Sequence, residues 1–128
     1  DWLSYAEHAL QTDSLNELFL LAKSTMLLNL GRNEECLKVS ERLIQVNVRN
    51  ADAYYNAGTA CLNMALNMDS RREKKQIRKM YEKARPFMES CRQLLPDAKE
   101  KWGPSLYRIY FNLNLGRQFD EIDKILKK

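Results

Sequence analysis

Apolar residues recur along this chain at helical spacing, three or four apart, in one segment after another, with charged and amide residues between them. From Glu17 the apolar stripe runs through Leu20, Leu27 and Leu30 and stops at Gly31-Arg32-Asn33. The Gly31 position suits the left-handed residue that ends a helix. Glu34-Glu35-Cys36 then opens a second stripe that continues through Leu43 and Ile44. A third begins at Ala51, with Tyr54, Ala57, Gly58 and Cys61 on one face. A fourth can be followed from Tyr81 through Ala84 and Cys91 to Leu95, closed by Pro96. From Lys99 the pattern resumes with Trp102, Leu106, Tyr107, Tyr110 and Leu113. It is expected to turn at Gly116-Arg117-Gln118 and end in Phe119, Ile122, Ile125 and Leu126. Gly103-Pro104 is expected to interrupt the first helix of that last pair.

Sliding the chain against itself sets the segment from Glu17 on the segment from Ala51 at an offset of 34 residues. A helix-turn-helix period of that length is the signature of the tetratricopeptide repeat. Ala51-Asp52-Ala53-Tyr54-Tyr55-Asn56-Ala57-Gly58-Thr59-Ala60 resembles the family's first-helix pattern, with an aromatic at Tyr54 and a small pair at Ala57-Gly58. Glycine in a helix interior costs about 1 kcal/mol against alanine, so Gly58 implies close approach by a neighbouring helix. Ala84, Cys91 and Pro96 match the second helix of the same unit.

The resemblance implies an all-α, right-handed superhelical array of antiparallel helix pairs, a TPR-like α-solenoid forming a single domain over residues 1–128. Residues 1–16 hold the second helix of a truncated repeat, with Trp2, Leu3 and Tyr5 along an apolar flank. A full repeat occupies 17–50, an interrupted one 51–98, and a divergent one 99–128. The interrupted unit has 48 residues, 14 more than the period needs, and the surplus falls near 65–79. An insertion there, with the ending Leu106 to Gly116, resembles a group of bacterial tetratricopeptide proteins.

Charge singles out the same region. The chain carries 21 Lys and Arg against 17 Asp and Glu, net +4. Arg71 to Arg85 holds eight basic residues and two acidic ones, net +6, so the remainder sums to −2. Ser70 with Glu73 reads as a capping box, and Ile77, Met80, Tyr81, Ala84 and Met88 give this basic helix an apolar stripe; Pro86 is expected to kink or break it. Its outer face carries Arg71, Arg72, Lys74, Lys75, Arg78, Lys79 and Lys83. That face can be simply solvated, can dock an acidic protein, or can contact the phosphates of nucleic acid or anionic lipid. Nucleic acid is the disfavoured partner, since Tyr81, the lone aromatic among the cations, belongs to the apolar stripe.

Candidate chemistry is sparse. Gly31, Gly58, Gly103 and Gly116 are scattered singly, so no phosphate-cradling loop exists, and neither a Gly-x-Ser-x-Gly elbow nor a His-Glu-x-x-His helix occurs. Glu34-Glu35 and Asp120-Glu121 sit in expected first turns, where carboxylates interact well with the helix dipole. His8 is the only histidine and reads as a solvated side chain. Cys36, Cys61 and Cys91 are odd in number, form no Cys-x-x-Cys pair, and fall on apolar stripes, which points to core packing. The expectation is a protein with no catalytic role, no metal and no cofactor. No apolar run approaches the roughly 18 residues of a membrane span. No targeting segment is visible, and the compartment, cytoplasmic or exported, stays open.

In tetratricopeptide proteins the first helices of successive units line a concave groove that grips a peptide or a partner helix. The resemblance places Leu18, Leu21, Thr25 and Leu28 of one unit, and Asp52, Tyr55, Asn56, Thr59 and Asn63 of the next, in that groove. Apolar anchors would bury a partner while the amides of Asn56 and Asn63 pair with its backbone. The clamp with which chaperone-binding members hold a C-terminal carboxylate is absent: Leu21, Thr25, Glu100 and Pro104 stand at its positions and Asn56 alone matches. The expected function is a non-catalytic module binding a protein or peptide. The alternatives are a structural scaffold or oligomerisation segment of a longer protein, and anion or nucleic-acid binding through the basic helix 71–85.

Overall fold

A computed structural model describes residues 3–4 and 17–128. From Glu17 onward the regular structure is six helices, α1 (Glu17–Asn29), α2 (Asn33–Val46), α3 (Ala51–Leu66), α4 (Lys74–Leu94), α5 (Lys99–Asn112) and α6 (Gly116–Leu126). There is no strand among the described residues. The expectations for Trp2, Tyr5, His8 and most of the segment 1–16 lie outside the described residues; Leu3, which is described, packs half-buried against the main core.

Two of the turns are built alike. After α1, Gly31 takes φ +77°, its N–H donates to the Leu28 carbonyl, and that of Arg32 donates to Leu27 at 2.9 Å. After α5, Asn114 takes φ 57°, donates to Phe111, and is followed by Leu115 donating to Tyr110 at 2.9 Å. Both are Schellman closures, in which a left-handed residue lets its own amide and the following one satisfy the last helical carbonyls. The turn expected at Gly116-Arg117-Gln118 therefore lies earlier. Asparagine tolerates the left-handed region, and Gly116 instead opens α6.

Neither internal proline breaks its helix. α4 runs continuously through Pro86, and α5 through Gly103-Pro104. Pro86 and Pro104 are both exposed, so the carbonyls of Glu82 and Glu100 that lose a donor lie on the solvent side, where a missing bond is cheapest. On the opposite face of α4, Tyr81, Ala84, Met88 and Cys91 are buried on both sides of the proline and hold the axis. The basic segment and the Tyr81–Leu95 stripe are thus one helix, with the surplus residues divided between the 67–73 loop and the first turns of α4. The Ser70–Glu73 capping box does not form. Glu73 instead accepts from the Asp69 amide at 2.8 Å, and Asp69 accepts from the Arg71 amide at 2.8 Å, so Arg71 and Arg72 lie in a turn ahead of the helix.

Small residues decide how the helices meet. Ala53, Ala57, Gly58, Ala60, Cys61 and Ala65 give α3 a narrow buried face, and α3 lies at the centre, packed on α2 and α4 and also touching α1 and α5. A Cβ at Gly58 would stand 2.8 Å from Met88 Cε, which accounts for a glycine in mid-helix. Each helix packs on its successor. Beyond that, the backbones of α1 and α3, and of α3 and α5, come close, whereas those of α2 and α4, and of α4 and α6, stay farther apart; α4 and α6 are linked through side chains, Arg92 pairing with Glu121 at 2.8 Å. The odd-numbered helices form a contiguous layer and the even-numbered ones a spread layer outside it. Trp102, Leu106, Ile109 and Ile122 extend the core into the last pair; the Trp102 indole donates to the Leu95 carbonyl at 2.8 Å beneath the Arg92 guanidinium, 5.0 Å from its ring.

Candidate functional site

The residues expected to line a groove lie on the contiguous layer, and the structure divides them into bound and available groups. Asn56 is only 5% exposed. Its amide donates to Ser24 Oγ at 2.9 Å and to Thr25 Oγ1 at 3.1 Å, so it fastens α3 to α1 and has no N–H left for a peptide. Asn63 donates to Asn33 Oδ1 at 3.2 Å. Asp52 accepts from Lys101 Nζ at 2.7 Å, which raises the lysine pKa, first through that hydrogen bond; the same ammonium sits 5.3 Å from the Tyr55 ring centre. Both amide hydrogens of Asn56 are thus engaged within the chain, whereas Asn63 commits one of its two. Thr59 Oγ1 is buried without a partner.

What stays accessible is mainly apolar. Leu18 is 71% exposed, Thr25 is exposed, and Leu21, Leu28 and Tyr55 are half-buried. Glu17, Leu18, Leu21 and Asn50 border an open cleft of about 470 Å³. One wall is fixed by Glu17, whose Oε2 accepts from Asn47 at 2.7 Å and from Asn50 at 2.6 Å. Asn50 also caps α3 through its Oδ1, which accepts from the Ala53 amide at 3.1 Å. The sequence reading missed this carboxylate bridge and the Ser24–Asn56 bond. The available signal was Ser24 itself, a hydroxyl at the 34-residue counterpart of Gly58 within a largely apolar helix.

The second candidate is the outer face of α4 with its leading turn. Arg71, Arg72, Lys74, Lys75, Arg78, Lys79 and Lys83 are all exposed. Arg78 pairs with Glu82 at 3.0 Å and Arg72 reaches Asp69 at 4.0 Å. Both pairs are solvent-exposed and contribute little. Toward the core, Tyr81 accepts from Arg108 Nε at 3.2 Å, and Tyr110 donates to Glu89 at 2.6 Å. Burial and the Glu89 contact push the Tyr110 phenol well above its ordinary range.

The three thiols are buried and free. Desolvation raises all three, Cys61 to about 11. No group of three or more potential metal-ligating residues occurs among the described residues, nor is any helix there long and apolar enough to cross a membrane. Comparisons with protein-family models, with curated proteins and with solved structures find no match.

Proposed function

We propose that this chain is a non-catalytic protein-interaction module, a tetratricopeptide-like solenoid that grips a partner segment against α1 and α3. The observation that carries the reading is the asymmetric layering, in which the backbones of α1, α3 and α5 approach in sequence while those of α2, α4 and α6 stay farther apart, α4 and α6 being bridged by the Arg92–Glu121 pair. Helices packed closely on one side and spread on the other curve toward the close side, as stacked helix pairs do in repeat arrays. Support also comes from the 34-residue offset: Ser24 and Gly58 occupy equivalent buried positions, as do Leu27 and Cys61. Leu18, Leu21 and Tyr55 then offer apolar anchor sites, with Thr25 as an exposed hydroxyl beside them. Because Asn56 is spent internally, the partner is held by side-chain burial more than by backbone pairing.

A scaffold role has its own support at the other end of the fold. Phe111 is 63% exposed beside Phe119, 5.8 Å away between ring centres, and Tyr107 and Leu126 are exposed nearby. Such a face suits another packed helix pair.

Affinity capture with wild type, Leu18→Glu and Tyr55→Ala tests the grip on α1 and α3, with circular dichroism verifying the fold of each variant. Partners retained by wild type and lost by both variants support it. Identical partner sets across the three proteins would overturn it and leave scaffolding as the better account.

A further inference from the structure

Where the first turns of α4 meet the end of α5, Ser70, Lys74, Ile77, Arg78, Tyr81 and Asn112 line a shallow notch of about 330 Å³ that is broadly open to solvent. None of its lining side chains is a carboxylate. Lysine and arginine carry donors only, and the serine, tyrosine and asparagine groups can donate as well. Of the nearby acids, Glu73 accepts from the Asp69 amide and Asp69 from the Arg71 and Arg72 amides; Glu82 pairs with Nε of Arg78 in an exposed contact that a ligand can compete with.

The floor sets this place apart from a merely charged surface. Tyr81 is 5% exposed, and its phenol oxygen accepts from Arg108 Nε. That bond leaves the phenolic hydrogen to donate, and it brings a third cation behind the floor. Asn112 gives one amide hydrogen to the Arg108 carbonyl at 2.8 Å and keeps the other. The Arg108 guanidinium is thereby held at the notch by Tyr81, and Asn112 is oriented by the carbonyl of the same residue. An acceptor-rich anion is the ligand that satisfies such a set, and a cationic or purely apolar ligand would leave these donors unpaired.

We infer that this notch is a binding site for a phosphate group, held by Lys74, Arg78 and the Tyr81 hydroxyl with Arg108 behind it. A phosphate brings several acceptor oxygens and close to two negative charges near neutral pH, matching the donors and the charge present. The site is separate from the α1 and α3 face and stands or falls independently of the function proposed there.

Inorganic phosphate and O-phosphoserine, titrated at constant ionic strength against chloride controls and followed by nuclear magnetic resonance, test it. The Arg108 Nε–H signal and the amides around Ser70 and Asn112 should shift along one saturable curve. Arg78→Gln and Tyr81→Phe should each weaken binding by about fivefold to tenfold, the loss of one charge-assisted or buried hydrogen bond. Lys79→Gln and Lys83→Gln remove the same charge from α4 outside the notch and should change binding by less than about twofold. Equal weakening by all the lysine and arginine variants, with Tyr81→Phe unaffected, would mean a diffuse cationic surface and overturn the proposal. Shifts that do not saturate, or that chloride reproduces, would overturn it too. Because Tyr81→Phe keeps the buried ring and alters no charge, its effect cannot come from lost packing or net charge.

Discussion

Alanine at position 58 exposes the close, fully buried contact of α3 on α4 to a direct energetic measurement. A Cβ there would lie 2.8 Å from Met88 Cε, 3.0 Å from Cγ and 3.3 Å from Sδ. Met88 is fully buried, so although its thioether is flexible, the atoms that must give way have no solvent to move into. Overpacking of this kind costs about 1–3 kcal/mol, whereas replacing a mid-helix glycine by alanine returns about 1 kcal/mol. The net expectation for Gly58→Ala is a loss of about 1 kcal/mol. Met88→Ala alone should cost about 2–5 kcal/mol through the cavity it leaves. In that background the clash is gone and Gly58→Ala should become stabilising by about 0.5–1 kcal/mol. Urea denaturation of the four proteins in the cycle gives the coupling directly, expected at roughly 1–3 kcal/mol. Gly58→Ala that stabilises the wild type by its full helix-propensity gain, with zero coupling to Met88, would refute close packing of α3 on α4.

Gly103→Ala is the contrasting case. Its Cβ would meet Leu126 Cδ2 at 2.6 Å, but Leu126 is 39% exposed at the end of α6 and can swing aside. An unfolding free energy unchanged or raised by up to about 1 kcal/mol is expected, and a loss above about 2 kcal/mol would contradict that freedom. Asn56→Ala strips Ser24 and Thr25 of their shared donor and should cost about 1–3 kcal/mol by the same assay. A near-neutral result would mean the α1 to α3 bond is idle. The thiols should resist alkylation at pH 8 in the native protein and all react once it is unfolded, as mass spectrometry would count. Burial raises the folded thiol pKa above the ordinary value of 9.0, for Cys61 to about 11, so the folded state holds protons that the unfolded chain releases. The thiol contribution to stability should be constant between about pH 6 and 8.5 and be lost as pH rises from about 9 to 11, by on the order of 1–3 kcal/mol. A flat profile through pH 11 would argue that the thiols are not buried.

Helical periodicity made most of the elements readable, because an amphipathic stripe is a local property of sequence. The Gly31 turn, the start of α3 and the buried faces of Ala57, Gly58 and Cys61 all follow from spacing alone. Boundaries governed by tertiary packing were less visible. Pro86 and Pro104 signal a break only if nothing else holds the axis, and here buried residues on either side of each proline do. Gly116 looked like the turn residue of the last pair because glycine takes positive φ most freely, yet Asn114 adopts it and the glycine opens the next helix. The amides show the limit most clearly. Asn56 and Asn63 carry the same donors whether they face a partner or a neighbouring helix. Only the placement of Ser24, Thr25 and Asn33 against them reveals that they are engaged within the chain. The notch above Tyr81 was hidden likewise, since Asn112 and Arg108 lie far in sequence from the basic run they complete.

The central claim, that the contiguous layer of α1 and α3 is the gripping surface, is tested most directly by hydrogen exchange on the full chain with and without a captured partner. The account predicts slowed exchange concentrated in residues 18–28 and 52–63, with little change elsewhere. Protection confined to the basic turn and helix at 71–83, or to the aromatic face at 107–126, would contradict it.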